Sequence, residues 1–227
     1  MCPPIVEVVG LAVCYPDQIA RPASGLSRMR PRAEINLSLS DGGVKAIPLA
    51  VRAARALDID AVQLPASLVS VQAYIADVET KACYACLLDM LSRRDYAIEE
   101  ARTKLISLGF SADASHAAVA KAVDFRFLDD RRFAAYYIEE RKRRGWGRRR
   151  IEAELRHKGI SISDIPGYPD SYFDEDDDAQ RAASLLERKR IPESCAYEKL
   201  IRFLLGKGFD YSTASRAVRT RLEEEYR

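Results

Sequence analysis

The sequence contains few of the side chains on which catalytic and metal sites usually depend. Its 227 residues include two histidines, His116 and His157, and five cysteines. Neither histidine has a serine or cysteine nucleophile close to it in a recognisable turn. The glycine patterns of nucleotide-binding loops are also missing, so the chain is not expected to use ATP itself. These absences predict a protein that is not an enzyme and has no catalytic residues, cofactor or metal.

The cysteines are too few and too dispersed for a disulfide framework. They stand at Cys2, Cys14, Cys83, Cys86 and Cys195, and an odd, scattered set is typical of a reducing compartment. The cytoplasm is therefore the expected location. Cys83 and Cys86 have the spacing of a redox or half-zinc motif, but no second pair of ligands accompanies them. Burial in the core of an apolar helix is the favoured interpretation.

The sequence also lacks a long hydrophobic run. Residues 5–13, IVEVVGLAV, are interrupted by Glu7 and follow no basic segment, and they fall far short of the roughly 20 residues that span a bilayer. Neither a signal peptide nor a membrane anchor is predicted. Prolines and glycine without sustained periodicity indicate a flexible or irregular arm over residues 1–30, with Met1 or Met29 as the start.

Charge of neither sign dominates. The 36 basic and 34 acidic side chains leave a net charge of +2, and this total says nothing about partners because the two signs can be segregated in space. A hydrophobic content of 48% with 31% charged residues is ordinary for a soluble globular protein. Such a chain can hold one large domain or two modest ones.

Strand periodicity is confined to one short region. Residues 33–39, AEINLSL, alternate apolar and polar side chains, which is typical of a half-buried strand. The Asp-Gly-Gly sequence at 41–43 tolerates positive φ, so a β-hairpin is predicted over residues 32–48. Helical patterns follow. We therefore expect a β-hairpin plus helix domain over residues 31–80.

One motif then occurs three times: a leucine, three residues, a glycine and a large apolar residue. The copies are Leu105–Gly109–Phe110, Leu155–Gly159–Ile160 and Leu204–Gly208–Phe209, with glycines about 50 positions apart. A helix ends readily in a left-handed glycine, and the apolar residue that follows folds back onto the last turn. Each copy therefore predicts a unit of helix, loop, helix, glycine stop and helix.

Three helical modules follow from this repeat, over residues 81–127, 128–172 and 173–227. Ser111 and Ser212 stand where the third helices of the first and last modules would begin, and serine is a good helix cap. A single three-helix unit has little core, whereas stacking of neighbours buries its remaining apolar faces. The expected fold is mostly α, with tandem three-helix repeats forming an elongated curved array behind the small N-terminal β-hairpin domain.

The middle module carries a distinctive set of residues between 127 and 160. They are Asp129, Asp130, Phe133, Ala134, Tyr137, Arg141, Gly145, Gly147, Ile151, Leu155, Lys158 and Gly159. This set resembles the signature of the RecX family of bacterial regulators, and residues 87–110 and 196–222 resemble its first and last modules. The resemblance implies a non-enzymatic modulator of the RecA recombinase. Such a protein binds in the groove of the RecA–DNA filament and limits filament growth, strand exchange and ATP hydrolysis.

The middle module departs from the family's pattern at two places. Trp146 stands between two glycines, where members of the family usually have a small or basic residue. After Ile160, the residues Pro166, Gly167 and Pro169 interrupt the expected third helix. A shortened helix followed by a flexible joint is therefore predicted between modules two and three.

Seven of the ten residues 141–150, here termed the basic segment, are Arg or Lys. Arginine suits phosphate and carboxylate groups because its planar fork binds them through two hydrogen bonds. Arginines at the beginning of a helix oppose its dipole at a cost of up to roughly 1 kcal/mol, which suggests an external partner. The candidate contacts with a filament or with DNA are Arg132, Arg141, Lys142, Arg143, Arg144, Trp146, Arg148, Arg149, Arg150 and Lys158.

These candidates also have a purely structural interpretation. A charge run is usually a solvated face, and Glu139, Glu140, Glu152 and Glu154 are near enough in sequence to pair with the arginines. Trp146 can stack on a base or pack against the neighbouring helix, and packing is favoured between two glycines.

The acidic run at residues 173–178, FDEDDD, is interpreted as the beginning of a helix, where carboxylates favour the helix dipole. A divalent-cation site is disfavoured because consecutive residues at a helix start point in different directions. A third hypothesis is an intramolecular latch on the basic segment. Asp129 and Asp130 also precede a helix, and we interpret them as caps.

The function expected from the whole sequence is regulation of the RecA recombinase by a monomer that binds its filament. Single- or double-stranded DNA is a further expected contact, made through phosphates rather than through bases. The alternative is a helical protein that binds DNA or RNA without sequence specificity and has no recombinase partner. A helical-repeat scaffold for another protein is a third hypothesis.

Overall fold

The computed structural model describes residues 6–16 and 30–225, which form two compact units. The first unit ends at Leu128 and contains β1 (Glu7–Cys14), β2 (Arg32–Leu39), β3 (Val44–Ala50), α1 (Val51–Ala56), β4 (Ala66–Ser67), α2 (Leu68–Leu91), α3 (Ile98–Ser107) and α4 (Ala112–Asp124). The second contains α5 (Asp130–Arg143), α6 (Arg148–His157), a 3-10 helix (Ile162–Asp164), α7 (Glu175–Glu187), α8 (Ala196–Lys207) and α9 (Tyr211–Glu225). A mostly helical fold with a small N-terminal β region is therefore confirmed. Within the described ranges, no helix is long and apolar enough to cross a bilayer.

The first unit opens with a four-stranded antiparallel sheet in the order β3-β2-β1-β4. The predicted hairpin is formed by β2 and β3, with Ile35 opposite Ile47. Gly42 allows the turn with a φ of +85°, and the carboxylate of Asp41 accepts a hydrogen bond from the Gly43 amide. Alternate side chains of β2 are buried, as the period of two in its sequence predicts.

Strand β1 corrects the expectation of an irregular arm over residues 1–30. It pairs with β2 along most of its length and with β4 at its beginning. Glu7 does not interrupt the strand because it lies exposed at the first position, while Val8 is fully buried. This strand forms because it pairs with segments that are distant in the sequence, and the pattern of its own residues does not reveal that pairing. Most of the remaining arm lies outside the described residues, as do Met1 and Met29.

Helix α2 joins the sheet to the first helical module. Its 24 residues include positions 80 and 81, so the boundary that we expected there falls inside one continuous helix. A single hydrophobic core contains Ile35 of the sheet together with Leu87 of α2 and Leu105 of α3. The sheet and the first module therefore share one helix and one core.

Cys83 and Cys86 lie in this core, as we interpreted them from the sequence. Their exposed fractions are 0% and 6%. Burial raises the pKa of the Cys83 thiol to about 12. A thiol that stays protonated at neutral pH is a poor nucleophile and a poor metal ligand. The pair therefore acts as core packing.

Each of the three repeated glycines ends a helix in the left-handed conformation. The φ angles are +101° at Gly109, +84° at Gly159 and +93° at Gly208. The large apolar residue that follows is buried each time. Its amide donates to the carbonyl of the repeated leucine, with N···O distances of 3.4, 2.9 and 3.2 Å in the three copies. The predicted role of the motif as a helix stop is confirmed.

The three copies of the motif belong to three groups of helices, which are α2–α4, α5–α6 with the 3-10 helix, and α7–α9. The third helix of the middle group is reduced to the three residues of the 3-10 helix, and turns occupy residues 166–172. The predicted shortening of this helix is therefore confirmed. The module boundaries at 127/128 and 172/173 and the curved array stay predictions.

The predicted caps are confirmed at two helices and wrong at a third. The Ser111 hydroxyl accepts a hydrogen bond from the Ala114 amide at 3.2 Å. The Asp129 carboxylate accepts hydrogen bonds from two backbone amides in the first turn of α5. Ser212, however, lies inside α9. Asp210 caps this helix instead by accepting the Thr213 amide at 2.8 Å, because a carboxylate one residue before the helix is better placed than a hydroxyl within it.

A buried carboxylate connects α2 to the beginning of α4. Glu79 is 7% exposed and accepts hydrogen bonds from the Ser111 amide at 2.9 Å and from the Ser111 hydroxyl at 2.7 Å. Because the same hydroxyl caps α4, Glu79 holds the capping residue in place.

Replacing Glu79 with alanine is expected to lower the free energy of unfolding by about 2 kcal/mol, because the partly buried amide and hydroxyl of Ser111 lose their acceptor. Urea denaturation followed by circular dichroism measures the change. Asp77→Ala is the matched control on the same helix, since the exposed Asp77 pairs with Lys81 at the surface and its loss should cost well below about 1 kcal/mol. Equal costs for the two variants would contradict the assigned role.

Candidate functional site

The basic segment 141–150 connects two helices of the second unit. Helix α5 ends at Arg143, and Gly145 then takes a left-handed conformation with a φ of +75°. Helix α6 begins at Arg148 with Gly147 as its N-cap and has no side-chain cap. The two glycines therefore turn the chain within three residues and place cations at the ends of two helices.

Two cations of the basic segment pack inside the unit. The Arg141 side chain is 20% exposed, lies 3.2 Å from Glu140, and its guanidinium is 4.5 Å from the centroid of the Tyr137 ring. The Lys142 side chain is 15% exposed, lies 3.5 Å from Asp177, and donates to the Tyr172 carbonyl at 2.5 Å. Both residues therefore contribute directly to the packing of the unit.

Trp146 also packs within the chain. The guanidinium groups of Arg150 and Arg141 lie 3.8 and 4.8 Å from its ring centroid, in the range of cation–π contacts. Its carbonyl accepts a hydrogen bond from the Arg181 side chain at 2.8 Å. The favoured interpretation of Trp146 as a packing residue agrees with these contacts, and Arg150 belongs to the same cluster.

Four arginines of the basic segment face solvent instead. Arg144 pairs with Glu140, and Arg148 lies 2.8 Å from Glu152 while remaining 46% exposed. The other two, Arg143 and Arg149, are exposed and form no ion pair with any residue that the structure describes. These four side chains form the accessible part of the basic segment.

Arg132 and Lys158 complete the candidates predicted from the sequence. Arg132 lies on the exposed side of α5 and takes part in an interaction within the chain. The Lys158 ammonium lies 5.6 and 5.8 Å from the ring centroids of Tyr137 and Phe133. Some candidates thus face solvent and others lie over aromatic rings, and Arg148 does both, with its guanidinium 5.4 Å from the centroid of the Tyr168 ring.

Glu152 neutralises part of the cationic surface. Its carboxylate accepts hydrogen bonds from Arg148 at 2.8 Å, from Arg156 at 3.0 Å and from the Tyr168 hydroxyl at 2.7 Å. Partial burial alone would raise the pKa of Glu152, but these three donors outweigh it and lower the pKa. The structural interpretation of the charge run therefore holds for Arg148, and the same carboxylate also pairs with Arg156 beyond the basic segment.

Modules two and three contact each other through the backbone of two glycines. The Gly147 amide donates to the Lys207 carbonyl at 2.8 Å, and the Arg149 amide donates to the Gly208 carbonyl at 3.0 Å. A Cβ atom on Gly147 would lie 2.3 Å from the carbonyl carbon of Gly208. Direct contacts therefore hold the two modules together, in place of the flexible joint that we expected.

The acidic run 173–178 begins helix α7, as predicted, with Asp174 as its N-cap. Asp177 lies 3.5 Å from Lys142 and 3.3 Å from Arg181, and Asp178 also pairs with Arg181. The Lys142–Asp177 pair joins this run to the basic segment, whereas no arginine of the segment pairs with the run among the described residues. The latch therefore stays a prediction.

A groove of about 620 Å³ lies where the first turns of α6, α7 and α9 come together. It is lined by Arg148, Arg149, Glu152, Phe173, Asp174, Glu175, Asp178, Phe209, Asp210, Ser212, Thr213 and Arg216. Arg216 was not among the predicted site residues. The groove brings it together with Arg148 and Arg149, which are more than 60 positions away in the sequence.

Comparison with known proteins places the chain in a family. A model described as RecX, second three-helix domain, matches residues 129–165. The Regulatory protein RecX of Stenotrophomonas maltophilia (strain K279a) is 33% identical over 137 residues, which cover 58% of this chain and 82% of that protein. The Regulatory protein RecX of Clostridium perfringens (strain 13 / Type A) is 36% identical over 135 residues, which cover 56% of this chain and 63% of that protein. The match thus spans less than two thirds of the Clostridium relative.

Two solved structures share the fold. The crystal structure of regulatory protein RecX has a TM-score of 0.54 at 21% identity and covers 92% of this chain and 96% of that one. The crystal structure of RecX from Lactobacillus salivarius has a TM-score of 0.53 at 21% identity and covers 63% of this chain and 96% of that one.

The fold defines a protein built of three-helix modules with a small N-terminal antiparallel sheet. Together with the relatives above 30% identity, these features show that the chain belongs to the RecX family of regulatory proteins.

Gly147→Ala is expected to lower the free energy of unfolding of the second unit by about 2–3 kcal/mol, because the new methyl group would overlap the backbone at Gly208. Chemical denaturation measures the change. Gly206→Ala is the control within the same unit. A Cβ at Gly206 meets nothing within 4 Å, and alanine favours a helix by up to about 1 kcal/mol. If Gly147→Ala were as stable as Gly206→Ala, the close contact would be disproved.

Asp210→Asn is expected to reduce stability by about 1 kcal/mol at neutral pH through loss of the charged cap. Partial burial would raise the pKa of Asp210, but hydrogen bonds from Ser212 and Thr213 outweigh it and lower the pKa from 3.8 to about 2. A lowered pKa gives stability that is present above 3.8 and lost as the pH falls towards 2. Urea denaturation at several pH values should therefore show parent and variant converging on the acid side, and a constant difference would refute the prediction.

Proposed function

We propose that the protein is a non-enzymatic regulator of the RecA recombinase. It binds in the groove of the filament that RecA forms on DNA, and it limits filament growth, strand exchange and ATP hydrolysis. It acts in the cytoplasm as a monomer. Membership of the RecX family is the observation that carries this proposal.

The accessible arginines support an anionic partner. Arg143, Arg144, Arg148 and Arg149 extend from the junction of α5 and α6 towards solvent. A guanidinium group that binds a phosphate displaces counterions, so the affinity falls as the salt concentration rises. Such a contact does not depend on base sequence. The same groups bind carboxylates in an acidic protein groove through two hydrogen bonds. A nucleoprotein filament presents both kinds of anion.

The packed candidates have a supporting role in this proposal. Arg141, Lys142 and Arg150 hold the Trp146 loop and the turn before α7, so they position the arginines that contact the filament. Arg132 and Lys158 extend the cationic surface along the same module. Substitution of the packed group should therefore reduce stability as well as binding.

The test is the ATP hydrolysis that single-stranded DNA elicits from the cognate recombinase, measured with increasing amounts of this protein. The parent protein should inhibit hydrolysis. The double variant Arg143→Glu, Arg149→Glu should need about tenfold more protein for half inhibition, because each change replaces an attraction to the filament with a repulsion. Neither arginine forms an ion pair with a described residue, so the variant should keep its stability.

The matched control is Arg188→Glu, Arg202→Glu, which makes the same change in net charge at two exposed arginines outside the candidate surface. It should inhibit like the parent. If the parent binds naked DNA but leaves hydrolysis unchanged, the recombinase proposal fails. The protein would then be a DNA or RNA binder without a recombinase partner.

A further inference from the structure

The groove between α6, α7 and α9 is large enough to hold a small ligand. Its volume of about 620 Å³ lies within the roughly 300–1,000 Å³ that is typical of small-ligand pockets. Aromatic rings of Phe173 and Phe209 and guanidinium groups from two separate helices line it. Aromatic rings next to guanidinium groups suit a ligand that combines a flat ring with an anionic group.

Five carboxylates line the groove, and three of them are held by side-chain donors within the chain. Asp210 accepts hydrogen bonds from the Ser212 hydroxyl and from the amide and hydroxyl of Thr213. Glu152 accepts hydrogen bonds from two arginines and a tyrosine, and Asp178 pairs with Arg181. Arginines therefore offset the charges of Glu152 and Asp178, and the remaining carboxylates of the groove are Asp174, Glu175 and Asp210.

Two guanidinium groups of the groove, unlike its paired carboxylates, have no partner among the described residues. Arg149 lies on the first turn of α6 and Arg216 lies on α9, and both are exposed. Neither side chain has a hydrogen bond or an ion pair with any residue that the structure describes. They contrast with Arg148, which Glu152 holds at 2.8 Å. The groove thus contains two cations from different modules that remain available to an anion.

The ring of Phe173 favours a nucleotide over an acidic side chain as the ligand of the groove. Its ring lines the groove, is partly exposed, and is held edge-on against Tyr168 with ring centroids 5.8 Å apart. A base can stack on a fixed aromatic ring, and such stacking does not depend on base identity. An acidic side chain would make no use of this ring or of most of the volume.

We propose that the groove binds one nucleotide of a nucleic-acid strand, with the phosphate between the guanidinium groups of Arg149 and Arg216 and the base against Phe173. This inference deepens the proposed function, because it says which part of the cationic surface contacts nucleic acid. It also assigns a role to Arg216, which lies in module three. The modules on either side of the Gly147–Gly208 contact then form one site together.

The experiment uses the full-length protein without recombinase, so its outcome is separate from that of the ATP hydrolysis test. A fluorescent oligothymidylate of about ten nucleotides is titrated with the parent and with Arg149→Gln, Arg216→Gln and the double variant. Each single change should weaken binding by about two- to fivefold, as expected for the loss of one exposed ion pair. The slope of log K against log salt should fall by about 0.7 for each arginine removed.

A substitution with the opposite sign strengthens the test. Glu175 lines the groove, is exposed, and forms no ion pair with a described residue. Its carboxylate repels a phosphate in the groove, so Glu175→Gln should tighten binding by about twofold. The control is Arg202→Gln, which removes the same charge from an exposed arginine on α8 outside the groove and should leave both affinity and salt slope unchanged.

Thymidine monophosphate and an acidic peptide complete the design. Weaker binding of both the strand and the mononucleotide by the groove variants supports a nucleotide site that also accepts the free ligand. Weaker binding of the strand alone supports a site for backbone nucleotides. If the groove variants behave like Arg202→Gln, or weaken the acidic peptide but not the strand, the proposal is wrong.

Discussion

The structure depends on a repeated constraint at the ends of helices. A helix can stop and reverse tightly where one residue takes a positive φ, and glycine does so without the steric cost that a side chain imposes. Gly109, Gly159 and Gly208 each supply this conformation, and the buried apolar residue that follows closes the end of the helix. Gly208 also takes part in a contact between modules, because its carbonyl accepts a hydrogen bond from the Arg149 amide. The residue that ends one helix therefore also joins two modules, and the groove between α6, α7 and α9 lies beside this contact.

Features that arise from neighbouring residues could be predicted from the sequence. The β2–β3 hairpin follows from alternation and an Asp-Gly-Gly turn, and the Asp129 cap follows from a carboxylate directly before a helix. Strand β1 could not be predicted in this way, because its stability comes from pairing with a strand about 20 positions later. The cap of α9 was assigned to Ser212, although Asp210 was equally visible in the sequence. Only the position at which the helix begins distinguishes the two.

In the candidate site, too, contacts between distant segments could not be predicted from the sequence. Its composition identified the basic segment, and four of the arginines in that segment do face solvent. Composition could not separate these from Arg141 and Arg150, which lie over the Trp146 ring. Nor could it find Arg216, which reaches the groove only because α9 packs close to the beginning of α6. Contacts between distant segments decide which cations stay exposed, and a single sequence does not contain a direct signal for them.

Helix α2 gives the N-terminal sheet a significance that its small size conceals. At 24 residues, this helix is about 36 Å long, and its buried side chains belong to a core shared with the strands and with α3 and α4. Without the N-terminal region, the part of α2 that contacts β1, β4 and α1 would lose its cover. Variation among relatives in the N-terminal region should therefore be accompanied by compensating changes on the exposed flank of the helix. The sheet is therefore part of the hydrophobic core of the first module.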